Sequence, residues 1–69
     1  MSEHTYKIIE LVGSSTKSIE EAVQNALTSA ASAEKNLRWL EVTDTRAHLE
    51  NGKIAHWQVT VKIGATITD

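Results

Sequence analysis

The chain has no cysteine, no proline and no phenylalanine among its 69 residues. Without cysteine there is neither a disulfide nor a thiolate metal site. That absence fits any cellular compartment. Without proline, no strand or helix interior is interrupted by a residue lacking its amide hydrogen. No apolar stretch reaches the roughly 18 residues of a membrane helix. No lysine or arginine run is present, and nine acidic residues outnumber seven basic ones for a net charge of -2. Nothing in that balance attracts a polyanion. Met1-Ser2-Glu3-His4-Thr5 lacks the basic and apolar regions of a secretory leader, so the expected location is the cytoplasm. Repeats, linkers and low-complexity segments are also missing.

A single domain over residues 1–69 is the count this length allows. A monomer of this size buries only about 60% of its unfolded surface. Small folds make up the difference with disulfides, metals or partner subunits. With the first excluded, partner subunits are the expected solution.

What is present has a clear order. His4 to Val12 is rich in β-branched and aromatic residues and reads as a strand. Gly13-Ser14-Ser15-Thr16 reads as a loop. Ser18-Ile19-Glu20-Glu21 matches a capping box, in which serine and glutamate satisfy free amides at a helix start. Ile19, Ala22, Val23, Ala26, Leu27, Ala30 and Ala33 form one apolar stripe, so the helix runs to about Lys35 and ends at Asn36. Two long strands follow, Leu37 to Leu49 and Lys53 to Ile67, joined by Asn51-Gly52, the sequence of a two-residue type I′ turn. The fold class is α+β: β-α-β-β, with a three-stranded antiparallel sheet on one helix.

The turn fixes a register. Glu50 faces Lys53, Leu40 faces Ile63 and Val42 faces Val61 toward the helix. Glu41 faces Lys62 and Thr43 faces Thr60 on the other side, both favourable cross-strand pairs. Continuing, Trp39 faces Gly64 and Thr45 faces Gln58, away from the helix. Arg46 faces Trp57, a cation–π arrangement. His56 faces Ala47, which separates it from His48. A flat indole on the face away from the helix points to a partner or a flat ligand. Trp39 reads equally well as an interface anchor, and Gln58 by itself as an ordinary exposed strand residue. His4, His48 and His56 lack a spaced carboxylate to complete a metal set, so no metal site is expected. Glu10, Glu41 and Asp44 have no acid/base spacing, and Ser14-Ser15-Thr16 is better explained by capping than by phosphate binding.

Several stretches together resemble the dodecin family of small flavin-binding proteins. They are His4-Thr5-Tyr6-Lys7, Glu10-Leu11-Val12-Gly13-Ser14-Ser15, Ile19-Glu20-Glu21-Ala22, Arg38-Trp39-Leu40-Glu41-Val42, Arg46-Ala47-His48 and Ala55-His56-Trp57-Gln58-Val59-Thr60. No single piece is specific, but their order, spacing and common length are. The resemblance implies a hollow homododecamer that holds flavins (FMN, riboflavin or FAD) in stacked pairs between subunits, with no catalysis. The family's stacking tryptophan falls on Trp39 and its flavin-binding glutamine on Gln58. The arginine that bacterial members place near the flavin falls on Arg46. Bacterial members are also associated with coenzyme A at another site. Thr45, opposite Gln58, would orient the amide, and Gly64 would leave room for a flat ring beside Trp39.

Two points complicate this expectation. Gln58 lies six residues from Gly64, roughly 20 Å along the strand, so Trp39 and Gln58 must come from different subunits to share one flavin. Arg46 falls on the opposite face from Gln58 unless a bulge intervenes near Thr45. The chain also departs from the family. Ala65 and Thr66 follow Gly64 where an aromatic and a basic residue are usual, and Trp57 and Leu40 each replace the more usual phenylalanine. Two other functions stay open: a small oligomeric α+β enzyme with an interface active site, and a structural shell that has lost flavin binding.

Overall fold

The computed structural model describes residues 3–67. Met1 and Ser2 of the leader reading, and the last two residues of the expected 1–69 domain, lie outside the described residues. The elements are β1 (Tyr6–Ser15), α1 (Ile19–Ala33), β2 (Leu37–Glu50) and β3 (Lys53–Thr66). The sheet order is β1-β3-β2, all antiparallel, with β3 in the centre. This is the β-α-β-β unit the sequence implies. No helix among the described residues is long and apolar enough to cross a membrane.

The boundaries differ in ways that have physical causes. β1 starts at Tyr6 rather than His4 and runs on through Gly13-Ser14-Ser15, which pair with Val59, Gln58 and Trp57. Pairing with the central strand overrides the turn-like composition. Gly13 is bare of necessity, because a Cβ there would lie 2.0 Å from the Ala22 carbonyl oxygen. The helix rests directly on this strand. Ser18 caps α1, its hydroxyl accepting from the Glu21 amide at 2.9 Å. The reciprocal half of the capping box is replaced by a relay. Ser15 Oγ accepts from the amides of Lys17 and Ser18 and donates to the Glu21 carboxylate. The helix stops at Ala33, short of Lys35, with Glu34 extended and its amide donating to Ala30 at 2.9 Å. Asn36 does adopt the left-handed conformation, φ 64, but uses it to turn the chain into β2.

The core is small. Ala22, Ala26 and Ala30 pack on Val59, Val61 and Ile63 of β3, with Leu11, Val23, Leu27, Leu40 and Trp57 around them. Burying each of the three large β3 side chains contributes about 1.5–3 kcal/mol. Ile19 and Ala33, at the ends of the apolar stripe, remain exposed. The helix covers β1 and β3 and barely reaches β2, so Val42 faces the helix side yet stays 47% exposed. The hairpin tip overhangs the helix, leaving Leu49 and Ile54 uncovered as well.

The hairpin turn is as expected, with φ 54 at Asn51 and φ 74 at Gly52. Its register holds at both ends but not in the middle. Glu50 pairs with Lys53, and Trp39, Leu40, Glu41 and Val42 pair with Gly64, Ile63, Lys62 and Val61. Between them the pairing slips by one. Ala55 is an extra residue in β3, and Thr43 is an extra residue in β2 that restores the frame. Each bulge adds local twist to long strands. The expected pairs Thr43–Thr60, Thr45–Gln58, Arg46–Trp57 and Ala47–His56 are therefore replaced by Asp44–Thr60, Arg46–Gln58, Ala47–Trp57 and His48–His56. Thr45 pairs with Val59 instead and lies on the helix-side face.

Candidate functional site

The sheet face away from the helix is built row by row across β1, β3 and β2. Ile8, Gly64 and Trp39 form one row, and Glu10, Lys62 and Glu41 the next. Val12, Thr60 and Asp44 follow, then Ser14, Gln58 and Arg46, then His56 with His48. Each side chain alternates away from the buried Val59, Val61, Ile63 and Ala65 of the same central strand.

Trp39 sits at one end of this face, 41% exposed. Its indole lies over Gly64, where a Cβ would come within 2.1 Å of Cε2 and 2.2 Å of Cζ2. The space above Gly64 is therefore taken by the tryptophan itself rather than left for a second ring. Gly64 seats the indole against the sheet. Tyr6 meets the indole edge-on, with ring centroids 6.2 Å apart and planes at 65°. Flanked by Gly64 and Tyr6, Trp39 still keeps 41% of its surface exposed.

Gln58 sits toward the other end, half-buried, its amide nitrogen 3.4 Å from His56 Nε2. Arg46 stands directly opposite it. The paired bulges achieve this, putting both side chains on one face where an unbroken ladder would separate them. Arg46 binds Asp44, donating from Nε at 3.1 Å and Nη2 at 2.9 Å to the same oxygen, Oδ2. It makes no cation–π pair with Trp57, which lies on the helix side. His48 and His56 share the outer face and stack, centroids 5.1 Å apart and planes at 21°. His48 also lies 3.6 Å from the Glu50 carboxylate. No group of three or more His, Asp or Glu residues capable of holding a metal occurs among the described residues.

Of the sequence-expected residues, Trp39 and Gly64 meet, and Arg46 and Gln58 meet. The two pairs are separated along β3, and Thr45 is excluded from the face. Asp44 and His48 join the face against the hairpin register, His56 in keeping with it, and Tyr6 through β1. The departures after Gly64 also separate. Ala65 is buried on the helix side, and only Thr66, paired with Tyr6, is on the outer face.

Comparison with known proteins agrees with this architecture throughout. The family model described as Dodecin matches residues 5–68. The dodecin of Thermus thermophilus is 36% identical over 59 residues, covering 86% of each chain. The structure of dodecin from Streptomyces coelicolor superposes with a TM-score of 0.93 at 43% identity, covering 100% of this chain and 99% of that one. Dodecin from Streptomyces davaonensis gives 0.92 at 40% identity, covering 99% and 100%.

Proposed function

The chain belongs to the dodecin family, and from that premise we propose that it is a cytoplasmic flavin-storage protein, a homododecamer holding stacked flavins between its subunits. Dodecins are binding and storage proteins, not enzymes. The observation that carries the reading is the indole of Trp39, seated on Gly64 and 41% exposed. An isoalloxazine stacked on that indole gains on the order of 1–3 kcal/mol, by analogy with base–aromatic stacking. A carboxamide offers one acceptor and two donors, which suits the alternating polar edge of the same ring system. Gln58 supplies that amide. Because Gln58 is six residues from Gly64 along β3, roughly 20 Å, it serves a flavin stacked on a neighbouring subunit's Trp39. Arg46, opposite Gln58, lies beside the same ligand.

A flavin enclosed in this way is hidden from solvent and substrates. Indole donates an electron readily to an excited flavin, so binding quenches flavin emission. Storage and protection from photochemistry follow from that arrangement.

The test is a fluorescence titration of flavin into purified protein whose assembly is verified by light scattering. Wild-type protein should quench the emission strongly. Trp39→Ala should lose most of the quenching, with affinity falling about tenfold or more, and Gln58→Ala should weaken binding with quenching at saturation retained. Unchanged affinity and quenching in an intact Trp39→Ala assembly would overturn the reading. A wild-type assembly that ignores flavins would instead favour a shell without flavin.

A further inference from the structure

The tip of the β2–β3 hairpin is Asn51-Gly52, the only place in the chain where glycine follows asparagine. The ladder closes at Glu50–Lys53, so both tip residues lie outside it. Both are exposed. Among the described residues the Asn51 carboxamide has no hydrogen-bond partner, and the Gly52 amide donates to no backbone carbonyl. A Cβ built on Gly52 would meet nothing within 4 Å, so the space around that amide is open.

An asparagine–glycine step carries its own electrophile and nucleophile. Once it loses its proton, the amide nitrogen of the following residue can attack the asparagine side-chain carbon, Cγ. Glycine has no Cβ to crowd that approach. The chain's other asparagines are shielded. Asn25 lies inside α1 and donates its carboxamide to the Ser14 carbonyl at 2.9 Å, while the next amide, that of Ala26, is bound within the helix. Asn36 is followed by Leu37, whose side chain crowds the attack.

We propose that Asn51 is a spontaneous modification site, at which the folded protein converts its own asparagine to aspartate and isoaspartate. The Gly52 nitrogen bonds to Asn51 Cγ, the Cγ–Nδ2 bond breaks, and ammonia leaves. The product is a cyclic succinimide joining the two residues. Water then opens the ring. Opening at Cγ gives aspartate; opening at the backbone carbonyl gives isoaspartate, with the chain rerouted through the side chain. Hydroxide removes the amide proton and water completes the exchange, so the rate rises with pH.

Either product places a new carboxylate beside Glu50, which already lies 3.6 Å from His48. Isoaspartate also lengthens the backbone of a two-residue loop. That loop fits its strands through positive φ at both positions, 54 at Asn51 and 74 at Gly52.

The experiment incubates the assembled protein in mildly alkaline buffer. Ion exchange follows the gain of negative charge, peptide mass mapping locates it, and enzymatic methylation detects isoaspartate. Acidic species should accumulate, with the change concentrated at Asn51 while Asn25 and Asn36 remain amides. Mildly acidic buffer should slow the reaction several-fold. Gly52→Asp keeps a residue that tolerates positive φ but crowds the amide, and should slow conversion of Asn51 several-fold. Light scattering and circular dichroism verify that this variant folds and assembles. A wild-type assembly whose Asn51 is still an amide after the guanidinium-unfolded chain has converted would overturn the proposal, as would equal conversion at Asn25 or Asn36. An unchanged rate in folded Gly52→Asp would overturn attack by the Gly52 amide.

Discussion

At Gly64 a single methyl group decides whether the indole can lie flat. A Cβ there meets the far end of a flexible side chain, Trp39 Cε2 at 2.1 Å, so the ring tilts rather than the strand. Gly64→Ala should therefore lower flavin affinity nearly as much as Trp39→Ala, while the urea midpoint moves little. A stability loss without any affinity loss would contradict this account. The same methyl at Gly13 would meet backbone, the Ala22 carbonyl at 2.0 Å, and there the fold itself must give. The outward placement of Trp39 was legible in the sequence because alternation and the hairpin turn both fix it. The filled space over Gly64 was not, because a register tells which residues face each other and not how a side chain lies. The paired Arg46 was equally hidden. Its partner Asp44 is two positions away on the same strand, and β-alternation puts both on one face, but which face that is depends on the frame of that segment.

The β2–β3 ribbon shows where reading by pattern stops. Counting from Asn51-Gly52 gives the correct pairs at the tip and again from Val42 to Trp39. It fails between them because two single-residue insertions, Ala55 and Thr43, cancel. Neither carries the glycine that would mark a bulge in sequence. The need for a bulge near Thr45 was visible only from the demand that Arg46 and Gln58 share a ligand. The helix was more legible: its alanine stripe and serine cap are local signals. The Ser15 relay was not, since it requires β1 to run on until Ser15 pairs with Trp57 of β3. Ser18→Ala should cost about 1 kcal/mol in denaturant unfolding, the usual worth of such a cap. A loss several-fold larger would mean that Ser15 and Glu21 fall with it.

The whole chain is slender. Its Cα radius of gyration is 14.2 Å, against about 11 Å for a compact chain of this length. Its extents are 54 × 20 × 13 Å, the thickness of one sheet and one helix. Val12, Val42, Leu49 and Ile54 are all at least 47% exposed, on both faces of the ribbon. A surface of this kind marks contact with other molecules, and the proposed dodecamer supplies further copies of the chain. Val42→Glu, on the uncovered part of β2, should shift the species seen by size exclusion with light scattering toward smaller assemblies. An unchanged mass would place the subunit contacts elsewhere. In the proposed dodecamer this thinness means that association completes the fold, and anything that binds only the folded form stabilises it by mass action. For such a chain dilution acts as a denaturant, and a crowd of its own copies acts as its missing interior.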